Sequence, residues 1–204
     1  MSAIARGEGR GTSAIDTTMR VLGIDPGTVT TGWGVVEERG TRLIRVTSGV
    51  VRARGSLAER LAQIFGEIEA VVVQAAPLVL SLEKNFVAAN VQSAFRLGEA
   101  RGAVLTAAAR AGIAIAEYSP AEIKLAVAGS GRATKEQIQT MVRRLLGVRT
   151  PLAHDEADAL GAAICHLHHR RFVERMAQPT VLALSRARRR AGRRWTSLRV
   201  VPSK

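Results

Sequence analysis

Val21-Leu22-Gly23-Ile24-Asp25-Pro26-Gly27-Thr28, continuing to Thr31-Gly32-Trp33-Gly34-Val35-Val36, decides how the rest of the chain is read. Arg20 to Ile24 is short, apolar and β-branched at Val21 and Ile24, which suits a buried strand. Pro26-Gly27 breaks the run, and Trp33 to Val36 resumes an extended apolar pattern. Asp25 therefore ends a strand where the backbone turns away. A carboxylate in such a place needs a hydrogen-bond partner or a cation, because burying its charge alone is costly. Gly23, Gly27, Gly32 and Gly34 leave room for something large to approach the backbone. Asp-Pro-Gly is also good turn chemistry, and alone the segment reads as an ordinary hairpin whose Asp caps a turn.

Downstream, Arg42 to Arg54 reads as a third strand, with turns at Pro26-Gly27 and Arg39-Gly40 making a meander. Ser56 is a predicted helix N-cap, followed at helical spacing by Leu57, Leu61, Ile64, Phe65, Ile68 and Val72. Pro77 ends this helix. Leu78 to Leu82 is a near-continuous apolar strand, as expected of a central strand covered on both faces, and Glu83 ends it. Asn90 to Ala111 reads as a helix with small residues at Ala94, Gly98 and Gly102. That stripe permits close packing, either across a dimer axis or within one chain. Ile113 to Tyr118 is a fifth strand, and Ser119-Pro120 caps a short helix through about Val127. A Gly129–Gly131 loop precedes an amphipathic helix from Thr134 to Leu146, and Asp155 to Phe172 is the last helix. The expected fold is α/β, a mixed five-stranded sheet flanked by helices.

The chain of 204 residues is long enough for one domain with a real core, here mostly Val, Leu, Ile and Ala because aromatics are only 3%. Its formal charge of +13 implies a polyanionic partner, nucleic acid or an anionic membrane surface. The charge is uneven: residues 176–204 carry eight Lys/Arg and no acid. Residues 1–18 lack periodicity and read as a disordered extension, or as a start codon set too early, with Met19 the functional start. Residues 19–175 are the expected globular domain, and 176–204 a basic, weakly structured tail. The lone Cys165 excludes an intrachain disulfide or a cysteine-built zinc site and fits a reducing compartment. No apolar run reaches about 18 residues and no signal-peptide pattern opens the chain, so a cytoplasmic protein is expected.

Four carboxylates stand out by position. Asp25 and Glu83 each end an apolar strand, and if those strands are neighbours the two acids share one end of the sheet. Asp155 and Asp158, three apart at a helix start, project from one helix face. Each has a plainer explanation alone: favourable interaction with the helix dipole for the Asp pair, pairing with Lys84 or Arg101 for Glu83. Together they would repel strongly and stay ionised only with cations. Hard oxygen ligands select Mg²⁺ or Mn²⁺, and a pair of such ions is a known clamp for phosphodiester hydrolysis.

These segments resemble the RuvC family of Holliday-junction resolvases, RNase H-like nucleases, over roughly Met19 to Arg171. The resemblance is carried by Leu22-Gly-Ile-Asp-Pro-Gly-Thr28, Glu83-Lys-Asn-Phe-Val-Ala-Ala-Asn90, Ser93-Ala-Phe-Arg-Leu-Gly-Glu-Ala-Arg-Gly102 and Asp155-Glu-Ala-Asp-Ala-Leu160. It implies that Asp25, Glu83, Asp155 and Asp158 are catalytic acids holding Mg²⁺, with Mn²⁺ a possible substitute. It implies that Phe86 stacks on bases at the crossover, that Asn90 belongs to the DNA-binding set, and that Lys124 and Lys135 lie near the scissile phosphate. Lys135 is a further expected catalytic residue, stabilising developing charge. It also implies a homodimer cutting four-way DNA junctions with paired symmetric nicks in recombination and repair, alongside a RuvA–RuvB branch-migration complex. Lys84 departs from the Gln or Glu of many relatives. His154 precedes the acid pair and is kept only as a neighbour of the site, because the three-residue spacing to Asp158 selects Asp155. An actin-like or sugar-kinase ATPase shares the Asp-x-Gly-Thr hairpin but needs a second similar domain, which the length does not allow. A junction-binding module that does not cut is disfavoured by the presence of all four acids.

Overall fold

The computed structural model describes residues 18–84 and 91–177. Its elements run β1 (Met19–Asp25), β2 (Thr30–Arg39), β3 (Arg42–Arg52), α1 (Leu57–Ala75), β4 (Val79–Glu83), α2 (Val91–Arg110), β5 (Ala114–Tyr118), α3 (Pro120–Ala128), α4 (Lys135–Leu145) and α5 (His154–Ala177). The expected mixed sheet of five strands is present, in the order β3-β2-β1-β4-β5. The meander pairs antiparallel, and β1, β4 and β5 run parallel.

β1 lies at the centre of the sheet, and its sequence explains why. Val21, Leu22 and Ile24 are all buried, so neither face of the strand meets water. Leu22, Ile24, Leu80 and Leu82 pack with Ile64 and Ile68 of α1 and Val104 of α2 on one side. Val21, Val36 and Val79 pack with Ile123 of α3, Val142 of α4 and Leu160 and Ile164 of α5 on the other. The period-two alternation of side chains thus divides one sheet between two helical layers.

Local chemistry sets the helix limits. Ser56 with Glu59, Ser119 with Glu122 and Thr134 with Gln137 form reciprocal capping boxes, satisfying backbone donors that a helix start leaves free. Thr134 therefore caps α4 instead of lying within it. Ala76 ends α1 in a left-handed conformation at φ 46°, since the residue before Pro77 is sterically kept out of the helical region. α5 is longer than its sequence pattern suggested. It begins at His154 and runs past Phe172 to Ala177, taking Met176 and Ala177 from the stretch read as tail. Arg170 and Arg171 hold that extension by pairing with Glu38 of β2, and Arg170 also pairs with Glu174 one turn on. A β-carbon added at Gly98 or Gly102 would meet nothing within 4 Å, so the small-residue stripe of α2 packs against no other described part of this chain.

Candidate active site

Three of the four glycines around Asp25, Gly23, Gly32 and Gly34, do admit something large, helix α5, whereas Gly27 faces the Thr30 carbonyl of its own turn. A β-carbon on Gly23 would overlap the Ala159 carbonyl, one on Gly32 the backbone of Asp155, and one on Gly34 the Leu160 side chain. The helix backbone therefore lies directly on the sheet, closer than any side chain would permit. Gly32 is the β2 residue directly across from Asp25. Seating Asp155 on Gly32 thus sets the start of α5 beside the last residue of β1. Ser81 of β4 fixes the same helix further along, donating its Oγ–H to the Ala162 carbonyl at 2.8 Å.

Glu83 arrives by strand register. Ile24 pairs with Leu82 in the parallel β1–β4 ladder, so Asp25 and Glu83 follow it at the same sheet end and on the face opposite Ile24 and Leu82. Arg101 donates to the Glu83 carbonyl oxygen at 3.1 Å and pairs with the Glu117 carboxylate. Arg101 therefore holds the backbone of β4, and among the described residues it does not pair with the Glu83 carboxylate. The turn after Asp25 is latched by Thr31, whose Oγ donates to the Gly27 carbonyl at 2.7 Å and accepts from the Gly27 N–H at 3.2 Å.

The electrostatics report how closely the four acids sense one another. Burial raises Asp25 from an ordinary 3.8 to about 7, with the charges of Asp158, Asp155 and Glu83 adding to the rise and Lys135 opposing it. Burial also raises Glu83; Asp158 adds to the shift, while Lys124 and Lys135 oppose it. Burial raises Asp158 too, with Lys135 and His154 opposing and Asp155 adding. Lys124 on α3 and Lys135 at the first position of α4 are therefore near enough for their charge to act on the acids. His154 lies at the edge, exposed, its ring bonded to Gln139 of α4. Among the described residues, no three His, Cys, Asp or Glu side chains close around one point as a ready-made ion cage. Phe86 and Asn90 lie outside the described residues.

Two other buried carboxylates give the contrast that matters. Glu37 is 0% exposed, and both its oxygens are bonded, to Arg20 and Arg39. Glu38 is held by Arg170 and Arg171. Both are lowered from the usual glutamate range, Glu37 chiefly by its bond from Arg20, Glu38 by its two arginines against burial. Among the described residues, none of Asp25, Glu83, Asp155 or Asp158 has an ion-pair partner within 4 Å.

Sequence reading did not single out Thr31, Ser81 or Glu156. Thr31 stands in the decisive stretch, but its latch depends on a turn geometry that composition does not specify. Ser81 signals itself only as a hydroxyl inside an otherwise apolar strand.

Comparison with known proteins places the chain. The family model described as crossover junction endodeoxyribonuclease RuvC matches residues 21–166. A crossover junction endodeoxyribonuclease RuvC from Halorhodospira halophila is 49% identical over 173 residues, 83% of this chain and 99% of that one. Among solved structures, Thermus thermophilus RuvC in complex with Holliday junction substrate superposes with a TM-score of 0.73 at 35% identity, over 76% of this chain and 96% of that one. The yeast mitochondrial Holliday junction resolvase shares the fold, with a TM-score of 0.56 at 16% identity over 76% of this chain and 80% of that one.

Proposed function

The chain belongs to the RuvC family of crossover junction endodeoxyribonucleases, with its RNase H-like fold, and on that footing we propose how its own residues perform the cleavage. Asp25, Glu83, Asp155 and Asp158 hold divalent cations, Mg²⁺ or Mn²⁺, against a phosphate of a four-way DNA junction. One observation carries this reading. The fold binds Glu37 and Glu38 directly to arginines, whereas among the described residues the four acids have no ion pair within 4 Å and Asp25 is raised by the charges of the other three. Uncompensated carboxylates packed this way call for positive charge from outside. All-oxygen donors suit a hard cation. When bound, such ions activate water and offset the charge that builds on the phosphodiester.

The protein's part is placement. α5 directs its N-terminus, the positive end of its dipole, toward the acid cluster, which eases the crowding of Asp155 and Asp158. Lys135, opposing the raised values of Asp25, Glu83 and Asp158, is placed to stabilise negative charge as water attacks phosphorus and the opposite P–O bond breaks. Lys124, opposing Glu83, supports the same phosphate from α3. Phe86 and Asn90, carried over from the family motif, engage the opened crossover. Two copies related by a two-fold axis match a two-fold junction and nick it symmetrically, leaving ends that can be rejoined; the exposed Ala94, Gly98 and Gly102 face of α2 supports such pairing. Residues 178–204 add salt-sensitive DNA affinity through their arginines. The setting we infer is the cytoplasm, beside a RuvA–RuvB complex. Among the described residues no helix is long and apolar enough to cross a membrane.

The test is cleavage of a labelled synthetic junction with and without Mg²⁺, against linear duplex of matched sequence. Metal-dependent paired nicks in the junction are expected, and Asp25→Asn should bind the junction without cutting it. Binding without metal-dependent nicking by the unaltered chain would overturn the reading.

A further inference from the structure

We propose that Glu156 is a positioning residue for the acid pair on either side of it, acting through Ser48 and Arg45 of β3. This rests on the reading of Asp155 and Asp158 as cation-holding residues. Glu156 lies between them in sequence, yet its carboxylate is turned away toward the sheet. One oxygen accepts from the Ser48 hydroxyl at 2.6 Å and lies 3.5 Å from the Arg45 guanidinium. The other accepts from the Ala153 N–H at 3.2 Å, just ahead of the helix start. Arg45 also donates to Ser48 at 3.3 Å. One carboxylate thus joins the first turn of α5 to a strand 108 residues away in sequence.

An irregularity in the strand makes the connection feasible. Arg45 and Ser48 are three apart, so a regular strand would send them to opposite faces. Between β2 and β3 the register shifts: Val35 pairs with Thr47 but Val36 pairs with Arg45, leaving Val46 as an extra residue. Ser48 pairs with Gly34, and Gly34 and Val36 share the face packed on α5. The bulge therefore brings Arg45 and Ser48 to one side, under Glu156, as bulges re-aim side chains elsewhere. The glycine contacts set how deep α5 sits on the sheet. The Glu156 tether sets the rotation and lateral place of its first turn, on which the directions of Asp155 and Asp158 depend.

Partners behind metal-holding groups are typically worth about 10–100-fold in metal affinity or activity when removed. Accordingly, Glu156→Ala should raise the Mn²⁺ concentration for half-saturation, read by electron paramagnetic resonance on DNA-free protein, about tenfold. The Mg²⁺ needed for junction cleavage should rise in parallel, with junction affinity unchanged. Ser48→Ala, which leaves the helix sequence intact, should reproduce part of the shift, and the double variant should be no worse than Glu156→Ala alone. Glu156→Gln, able to keep the Ser48 bond, should recover most of the affinity. A Glu156→Ala or Ser48→Ala protein with lower thermal stability but unaltered Mn²⁺ half-saturation would overturn the proposal and leave Glu156 a purely structural tie. Asp158→Asn separates the two levels of inference. If that variant also binds Mn²⁺ as the unaltered chain does, the metal reading of the site fails, and the positioning role fails with it.

Discussion

In the absence of divalent cations, Asp25 should make the fold less stable as pH rises. Its folded value of about 7 stands against an ordinary 3.8. Between these values the folded chain keeps a proton that the unfolded chain has released. Stability therefore falls as pH rises through this window and levels off above about 7. The full difference corresponds to about 4 kcal/mol, at about 1.36 kcal/mol per pH unit. Glu83 and Asp158 are raised in the same direction, so the proton is shared across the cluster, and we expect about 2–4 kcal/mol to be traceable to Asp25.

The assay is urea unfolding in chelator at pH 4.5, 5.5, 6.5 and 7.5, comparing the unaltered chain with Asp25→Asn. Titrating groups outside the acid cluster, including the lowered His166, Glu37 and Glu38, contribute to both proteins and cancel in the difference. Asp25→Asn should exceed the unaltered chain by only about 1 kcal/mol or less near pH 4.5 and by about 2–4 kcal/mol at pH 7.5. Saturating Mg²⁺ should then close the gap by stabilising the unaltered chain alone, by about 2.7 kcal/mol at a hundred times the dissociation constant. Parallel pH curves for the two proteins in chelator would refute the reasoning, because they would mean that Asp25 ionises freely in the fold.

Gly32→Ala should lower stability by about 1–3 kcal/mol through overpacking against the Asp155 backbone and should lose cleavage, checked by thermal melting beside the junction assay. Glu37→Ala should cost about 1–3 kcal/mol in urea unfolding, since it removes charge-assisted hydrogen bonds to two partly exposed arginines, with the Mg²⁺ dependence of cleavage unchanged. Lys135→Ala should slow cleavage about 100-fold at unchanged junction affinity, measured in single-turnover reactions. Phe86→Ala should slow cleavage of a mobile junction while leaving the thermal melt intact. A chain ending at Ala177 should show a shallower dependence of junction affinity on salt, read from binding isotherms across ionic strength.

What was legible in the sequence was local. The β1–β2 turn, the Ser56 and Ser119 caps and the apolar strands ending in Asp25 and Glu83 are each written in a few adjacent residues, and they pointed to a mixed five-stranded sheet; that β1 and β4 are parallel neighbours came with the structure. The occupant of the glycine groove was not legible. Gly23, Gly32 and Gly34 announce that something approaches, while the identity of α5 depends on a contact between segments more than 100 residues apart. Glu156 was hidden for the same reason, because its partners are brought under it by a bulge that leaves no compositional mark. The length of α5 depended on Arg170 and Arg171 finding Glu38 across the fold.

The two kinds of buried carboxylate occupy opposite ends of the same strands. Glu37 and Glu38 lie where β2 pairs with Arg20 and Met19, and Asp25 lies where β1 pairs with Gly32. α5 spans the distance between them, tied to Glu38 by Arg170 and Arg171 and to Ser81 through Ala162, with Asp155 resting on Gly32. A helix tied at its far end and middle has little freedom at its start, and the Glu156 tether removes much of what remains. Four like charges held apart on flexible loops would relax by moving away from one another. Held on two strand ends and a tethered helix, they retain their repulsion, which on the proposed reading a bound cation would relieve. On the proposed reading, the rigidity that keeps these charges together is also what would prepare the site for a cation.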